Sequence, residues 1–113
     1  MTAFTATKRD DGAGVFRLLI AGELDEDVDD VLACLIVDAV EQPEVSEIVV
    51  DLRRVTFLAA AGVRALLRGY EAAIARDRGF RVLNATGVVY QVLRISGVHR
   101  MLMVASESAV TAP

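Results

Sequence analysis

With 113 residues, of which 54% are apolar, the chain can bury one core, and its formal net charge of −4 argues against broad nucleic-acid binding, which needs a concentrated basic surface. The single cysteine, Cys34, can neither close an internal disulfide nor build a thiolate metal site alone. Arg17, Glu23, Asp38 and Asp51 break every apolar run before the ~18 residues a membrane span requires, and the start carries no basic-then-apolar leader pattern. The expectation is one cytoplasmic domain over residues 1–113, with no nucleic-acid partner and no direct membrane insertion.

In chain order, residues 4–7 alternate with threonines and run into Asp10-Asp11-Gly12-Ala13-Gly14, a cluster suited to a tight reversal before the apolar run 15–21. An antiparallel hairpin follows from this pattern. After Gly22-Glu23-Leu24-Asp25, the residues Val28, Val31, Leu32, Leu35, Ile36 and Ala39 recur at helical spacing, which predicts a helix over about 27–41, closed by Pro43. Ile48-Val49-Val50-Asp51-Leu52 is β-branched and does not alternate, as expected of a central strand covered on both faces.

Residues 55–62 read as a loop, followed by a helix with Val63, Leu66, Leu67, Tyr70, Ala73 and Ile74 on its core side. A strand over 80–84, a short helix over 88–95 stopped by Gly97, a last short strand over 101–104 and a loose tail from about 106 complete the chain. Strands alternating with helices imply an α/β fold: a mostly parallel mixed sheet of about five strands with an N-terminal antiparallel hairpin and about three main helices. In such sheets the functional surface tends to form beyond the carboxyl ends of the strands, here at the loops 22–27 and 55–62.

The acidic stretch 23–30 matches the first three ligand positions of an EF-hand with Asp25, Asp27 and Asp29. It then fails, because Asp30 stands where glycine is needed and Ile36 where a bidentate glutamate is needed. Helix capping by Asp25 or Asp27 is the expectation, with no metal. His99 is the only histidine and reads as a solvated loop residue; no nucleophile elbow, P-loop or dinucleotide-binding glycine pattern occurs. Asp51 reads as a strand-end carboxylate that accepts backbone hydrogen bonds. No catalytic residues and no cofactor are expected. On the helix after Gly62, Ala61, Ala65 and Ala72 beside Gly69 form a low-relief stripe flanked by Arg68, which reads either as a partner-accepting face or as helix propensity alone.

The Gly22-Glu23-Leu24-Asp25 turn, the Ile48-Val49-Val50-Asp51-Leu52 strand, the run Val55-Thr56-Phe57-Leu58-Ala59-Ala60-Ala61-Gly62 with its helix, and Val92-Leu93-Arg94-Ile95-Ser96-Gly97-Val98 together resemble the STAS domain of anti-sigma factor antagonists, over about residues 4–104. The resemblance implies a protein that binds a kinase-type anti-sigma factor and so frees a sigma factor. Its partner-binding residues would be Asp25, Ala59, Ala60, Ala61, Gly62, Arg64 and Arg68. The family pattern there reads Phe-x-Asp-Ser-Ser/Thr-Gly, and the kinase phosphorylates the serine after the aspartate. This chain has Ala59 for the aspartate, Ala60 for the acceptor serine and Ala61 for the second hydroxyl residue. Alanine has no oxygen to take a phosphate, so the usual switch, which adds roughly −1.5 to −2 charges, is missing unless another hydroxyl such as Thr56 serves. Two other roles fit the resemblance or the surface: a STAS scaffold subunit of a transporter or stress-signalling complex, and a binder of a small ligand such as a nucleotide or lipid near Asp25.

Overall fold

The computed structural model describes residues 4–105, with elements in the order β1 (Phe4–Asp10), β2 (Val15–Leu24), α1 (Asp29–Val40), β3 (Glu47–Leu58), α2 (Ala60–Ala75), β4 (Gly79–Leu83) and α3 (Gly87–Ile95). The Asp-Gly-rich reversal forms as its composition demands: Gly12, Ala13 and Gly14 all take positive φ, and the Asp10 carboxylate accepts the Gly12 N–H at 2.8 Å. β1 and β2 therefore pair antiparallel, and β2, β3 and β4 are parallel, in the order β1-β2-β3-β4.

Register divides the sheet into two faces. Phe16, Ile48 and Phe80 lie side by side, as do Leu18, Val50 and Val82, and these rows join Leu32, Ile36 and Leu66 in the main core. The alternate rows run Arg17–Val49–Arg81 and Leu19–Asp51–Leu83 on the other face. Val49 and Leu83 are buried there too, which explains the absence of alternation in this strand.

Four expectations need correction. The expected fifth strand at 101–104 is replaced by turns and one isolated bridge between Leu83 and Ala105: residues 99–103 close on themselves, with Leu102 N–H donating to Val98 C=O at 3.0 Å and Val104 N–H to His99 C=O at 2.9 Å, and Met103 takes φ +52°. Strand β3 does not stop at Leu52 but runs to Leu58. It carries two extra residues relative to β2 (Leu19 and Ala21 face Asp51 and Arg54; Gly22 and Glu23 face Val55 and Phe57), so its buried residues Leu52, Val55 and Leu58 recur every third position and imitate a loop. The buried side of α1 is Val28, Leu32, Ile36 and Ala39, leaving Val31 and Leu35 exposed, and Ile74 on α2 is exposed as well.

Finally, the small-residue stripe of α2 is not a free face. Ala61, Ala65 and Gly69 are buried, and a Cβ on Gly69 would lie 2.3 Å from Ile36 Cγ2 of α1. Small residues are what let α1 and α2 approach this closely. The expected tail from residue 106 lies outside the described residues. Among those described, no helix is long and apolar enough to cross a membrane.

Candidate functional site

β2 and β3 end side by side, Leu24 opposite Leu58; β3 passes into α2 through Ala59 alone and β2 into α1 through the turn 25–28, so the N-termini of α1 and α2 open on the same edge of the sheet. The junction after β3 is fixed by the backbone. Ala59 N–H donates to Leu24 C=O at 2.8 Å, and Ala59 C=O accepts from Gly62 and Val63 N–H at 3.0 and 3.2 Å. Gly62 is required by contact: a Cβ there would meet Leu58 Cδ1 at 2.5 Å and Leu24 Cβ at 3.1 Å.

The residues expected at this edge fall into three groups. Ala60 is exposed and Ala59 and Asp25 are half-buried, so these three line the surface. Ala61 and Gly62 are buried, so they shape the edge from beneath. Arg64 and Arg68 are exposed but engaged across the helix pair: Arg64 reaches Asp29 at 3.2 Å and Glu26 at 3.8 Å, and Arg68 reaches Asp30 at 3.1 Å and Asp29 at 3.5 Å. The hydrogen bond to Asp30 raises the Arg68 pKa above its ordinary value, with Asp29 adding to the effect. Such solvated pairs contribute little stability, but they fix where the two guanidinium groups stand.

The capping expectation for Asp25 and Asp27 is not met. Val28 is the N-cap of α1 and has no side-chain cap bond; Asp25 Oδ1 instead accepts the Asp27 N–H at 3.0 Å, folding the loop into an Asx turn. Asp29 and Asp30 occupy the first turn, where they complement the helix dipole. α2 likewise lacks a side-chain cap at Ala59 and has no acidic residue in its first turn.

Sequence reasoning missed Phe57. It pairs with Glu23 on β2, yet its ring is 46% exposed beside the α2 start. The available signal was its position outside the every-third-residue apolar spacing. Thr56, the neighbouring hydroxyl, is exposed and donates to Gly22 C=O at 3.4 Å. The edge thus combines an aromatic face, a bare helix start and an acidic turn.

Two other residues stand differently from their sequence reading. Asp51 lies within β3 and is buried, accepting from Arg53 N–H at 2.9 Å, from Arg17 Nη1 at 2.9 Å and from Asn84 Nδ2 at 3.2 Å. Arg17 also holds Asp11 at 3.0 Å, and the Asp11 carboxyl lies below the usual aspartate range, chiefly through its hydrogen bond from Arg9, with desolvation opposing and the Arg17 hydrogen bond adding to the lowering. His99 is half-buried rather than solvated, its ring edge-on to Tyr90 at 6.4 Å between centroids.

These features define an α/β domain with a mixed sheet, a hairpin first and two crossover helices that open on one edge, where the chain offers surface and charge. The family model described as "Mlab, STAS domain" matches residues 7–105, and the chain belongs to the STAS domain family. Solved structures agree on the fold. An anti-sigma factor antagonist from Mycobacterium paratuberculosis superposes with a TM-score of 0.80 at 23% identity, covering 91% of this chain and 86% of that one. The anti-sigma factor antagonist SpoIIAA in its unphosphorylated form gives 0.77 at 23% identity, with 94% and 92% covered. A sulfate transporter family protein from Wolinella succinogenes gives 0.71 at 23% identity, with 86% and 80% covered. No curated protein matches the sequence closely enough to count as a relative.

Proposed function

We propose that this domain is an anti-sigma factor antagonist type of docking module: it binds a kinase-type anti-sigma factor in the cytoplasm through the edge at Asp25, Phe57, Ala59 and Ala60, releases a sigma factor, and is not governed by phosphorylation at position 60. One observation carries this reading: the residue at the family's phosphoacceptor position stands exposed on the first turn of α2 and has no hydroxyl. The likeness to two anti-sigma factor antagonists supports the partner class. The Wolinella structure supports a second reading, a scaffold subunit of a transporter complex.

The test is Ala60→Asp, which places a fixed negative charge where the family's phosphate would sit. Because the position is exposed and at a helix N-terminus, melting should change little. Affinity for the anti-sigma factor, measured by titration calorimetry, should fall about tenfold or more, as a charge without a partner at an interface costs upwards of about 1.4 kcal/mol. Unchanged affinity would remove this edge from the interface, and purification with transporter subunits in place of an anti-sigma factor would favour the second reading.

A further inference from the structure

We propose that β1 is a self-association edge, through which two copies of this chain pair antiparallel into one continuous sheet. In the order β1-β2-β3-β4, β4 is flanked by the Ala105 bridge, whereas no strand among the described residues pairs with the outer side of β1. β1 is a seven-residue strand with no proline, and it matches β2 without a register shift. Every second residue therefore turns its N–H and C=O outward, a ready template for another strand.

The sequence of β1 tolerates its own image. An antiparallel pair centred on Thr7 sets Thr5 opposite Arg9, Ala6 opposite Lys8 and Phe4 opposite Asp10, so no like charges face each other. The adjoining surface is complementary to itself as well. Between β1 and α1 runs a groove of about 160 Å³ walled by Ala6, Lys8, Leu18, Leu35, Asp38 and Ala39. Lys8 rests over the Phe16 ring at 5.0 Å and has no carboxylate partner among the described residues, and Asp38 has no cationic one. Pairing about Thr7 brings Lys8 of each copy beside Ala6 of the other, on the rim of the groove that holds the other copy's Asp38. Leu35 of α1, 40% exposed, lines this groove, and Val31, 56% exposed, lies one helical turn before it on the same side of α1. Their burial gives the pair an apolar component besides the strand hydrogen bonds. The proposal is independent of what binds at the α2 edge.

Sedimentation equilibrium on the full chain, up to about 1 mM, the concentration at which even a weak interface of −4.1 kcal/mol is half-populated, should give a mass rising from 12.1 kDa towards twice that value. Thr7→Lys sets two lysines across the axis and should hold the mass at the monomer with an unchanged circular dichroism spectrum, since Thr7 is exposed. Thr7→Cys in a Cys34→Ser background should form a disulfide-linked dimer on mild oxidation, because only this register brings position 7 beside its own copy. A monomer at every concentration overturns the proposal. So does a dimer that Thr7→Lys leaves intact and Thr7→Cys fails to cross-link.

Discussion

Ala59→Asp should make this domain more stable, which is unusual for a substitution at a candidate binding edge. Ala59 already holds N-cap geometry, φ −91° and ψ 173°, with its carbonyl accepting from Gly62 and Val63, but its methyl group satisfies none of the first-turn N–H groups of α2. An aspartate there needs no backbone change to accept from the second or third residue of the helix. Caps of this kind are worth about 0.5–2 kcal/mol relative to alanine, and a carboxylate facing an otherwise uncharged first turn adds about 0.3–1 kcal/mol. The nearby Asp25 and Glu26 carboxylates and the half-buried position take back part of that gain, so a net effect of about 1 kcal/mol is expected. For a domain of this size that raises Tm by about 4 °C. Thermal melts followed by circular dichroism at pH 7 measure it, with Ala59→Asn alongside to separate capping from charge. A Tm that is unchanged or lower in both variants, with the native spectrum retained, would refute the reading of Ala59 as an uncapped helix start.

Gly69→Ala should destabilise by about 1–3 kcal/mol through overpacking, since the new Cβ overlaps Ile36 Cγ2, and in urea denaturation the pair Gly69→Ala with Ile36→Ala, which removes that methyl group, should cost less than the sum of the two single changes. Asp51→Ala leaves buried Arg17 without one of its carboxylates and should cost about 3 kcal/mol, the lower end for a broken buried pair, because Asp11 still holds the guanidinium. Asp11 has a carboxyl whose folded pKa is depressed, so its contribution is complete above the unfolded value of about 3.9 and is lost as pH falls below that, through the lower folded value. Asp11→Asn should therefore narrow the gap in Tm to the parent protein as melts move from pH 6 down towards about pH 3.

Most of the fold was readable because burial dictated the pattern. The hairpin was announced by glycines that the turn requires, and the strand Ile48–Leu52 by an apolar run that only two-sided cover permits. The extension of β3 to Leu58 was not readable, because two inserted residues relative to β2 replaced the period of two by a period of three. The partner of Asp51 was hidden for another reason: Arg17 lies 34 residues away, and only the parallel register of β2 and β3 brings the two together on one face. The last strand misled because an apolar composition that suits an extended run is folded here into consecutive turns over residues 99–103, where Leu102 and Val104 N–H donate back to Val98 and His99 C=O instead of to a neighbouring strand.

At the candidate site the sequence located the edge but not which atoms face outward. Spacing alone placed Ala61 and Gly62 with Ala60, although the helix buries both, Gly62 directly against Leu24 and Leu58. Arg64 and Arg68 point towards solvent on a helical wheel, and the wheel has no knowledge of the neighbouring helix. Because α1 starts on the same edge, its Asp29 and Asp30 meet both guanidinium groups. A partner carboxylate approaching these arginines must therefore displace an existing ion pair, and the exchange leaves little net gain. Ala60 and Phe57 carry no such debt: they offer apolar surface whose burial is favourable by about 25 cal/mol per Å². Affinity at this edge should accordingly rest on the aromatic ring and the bare helix start, with the arginine and aspartate cluster setting orientation.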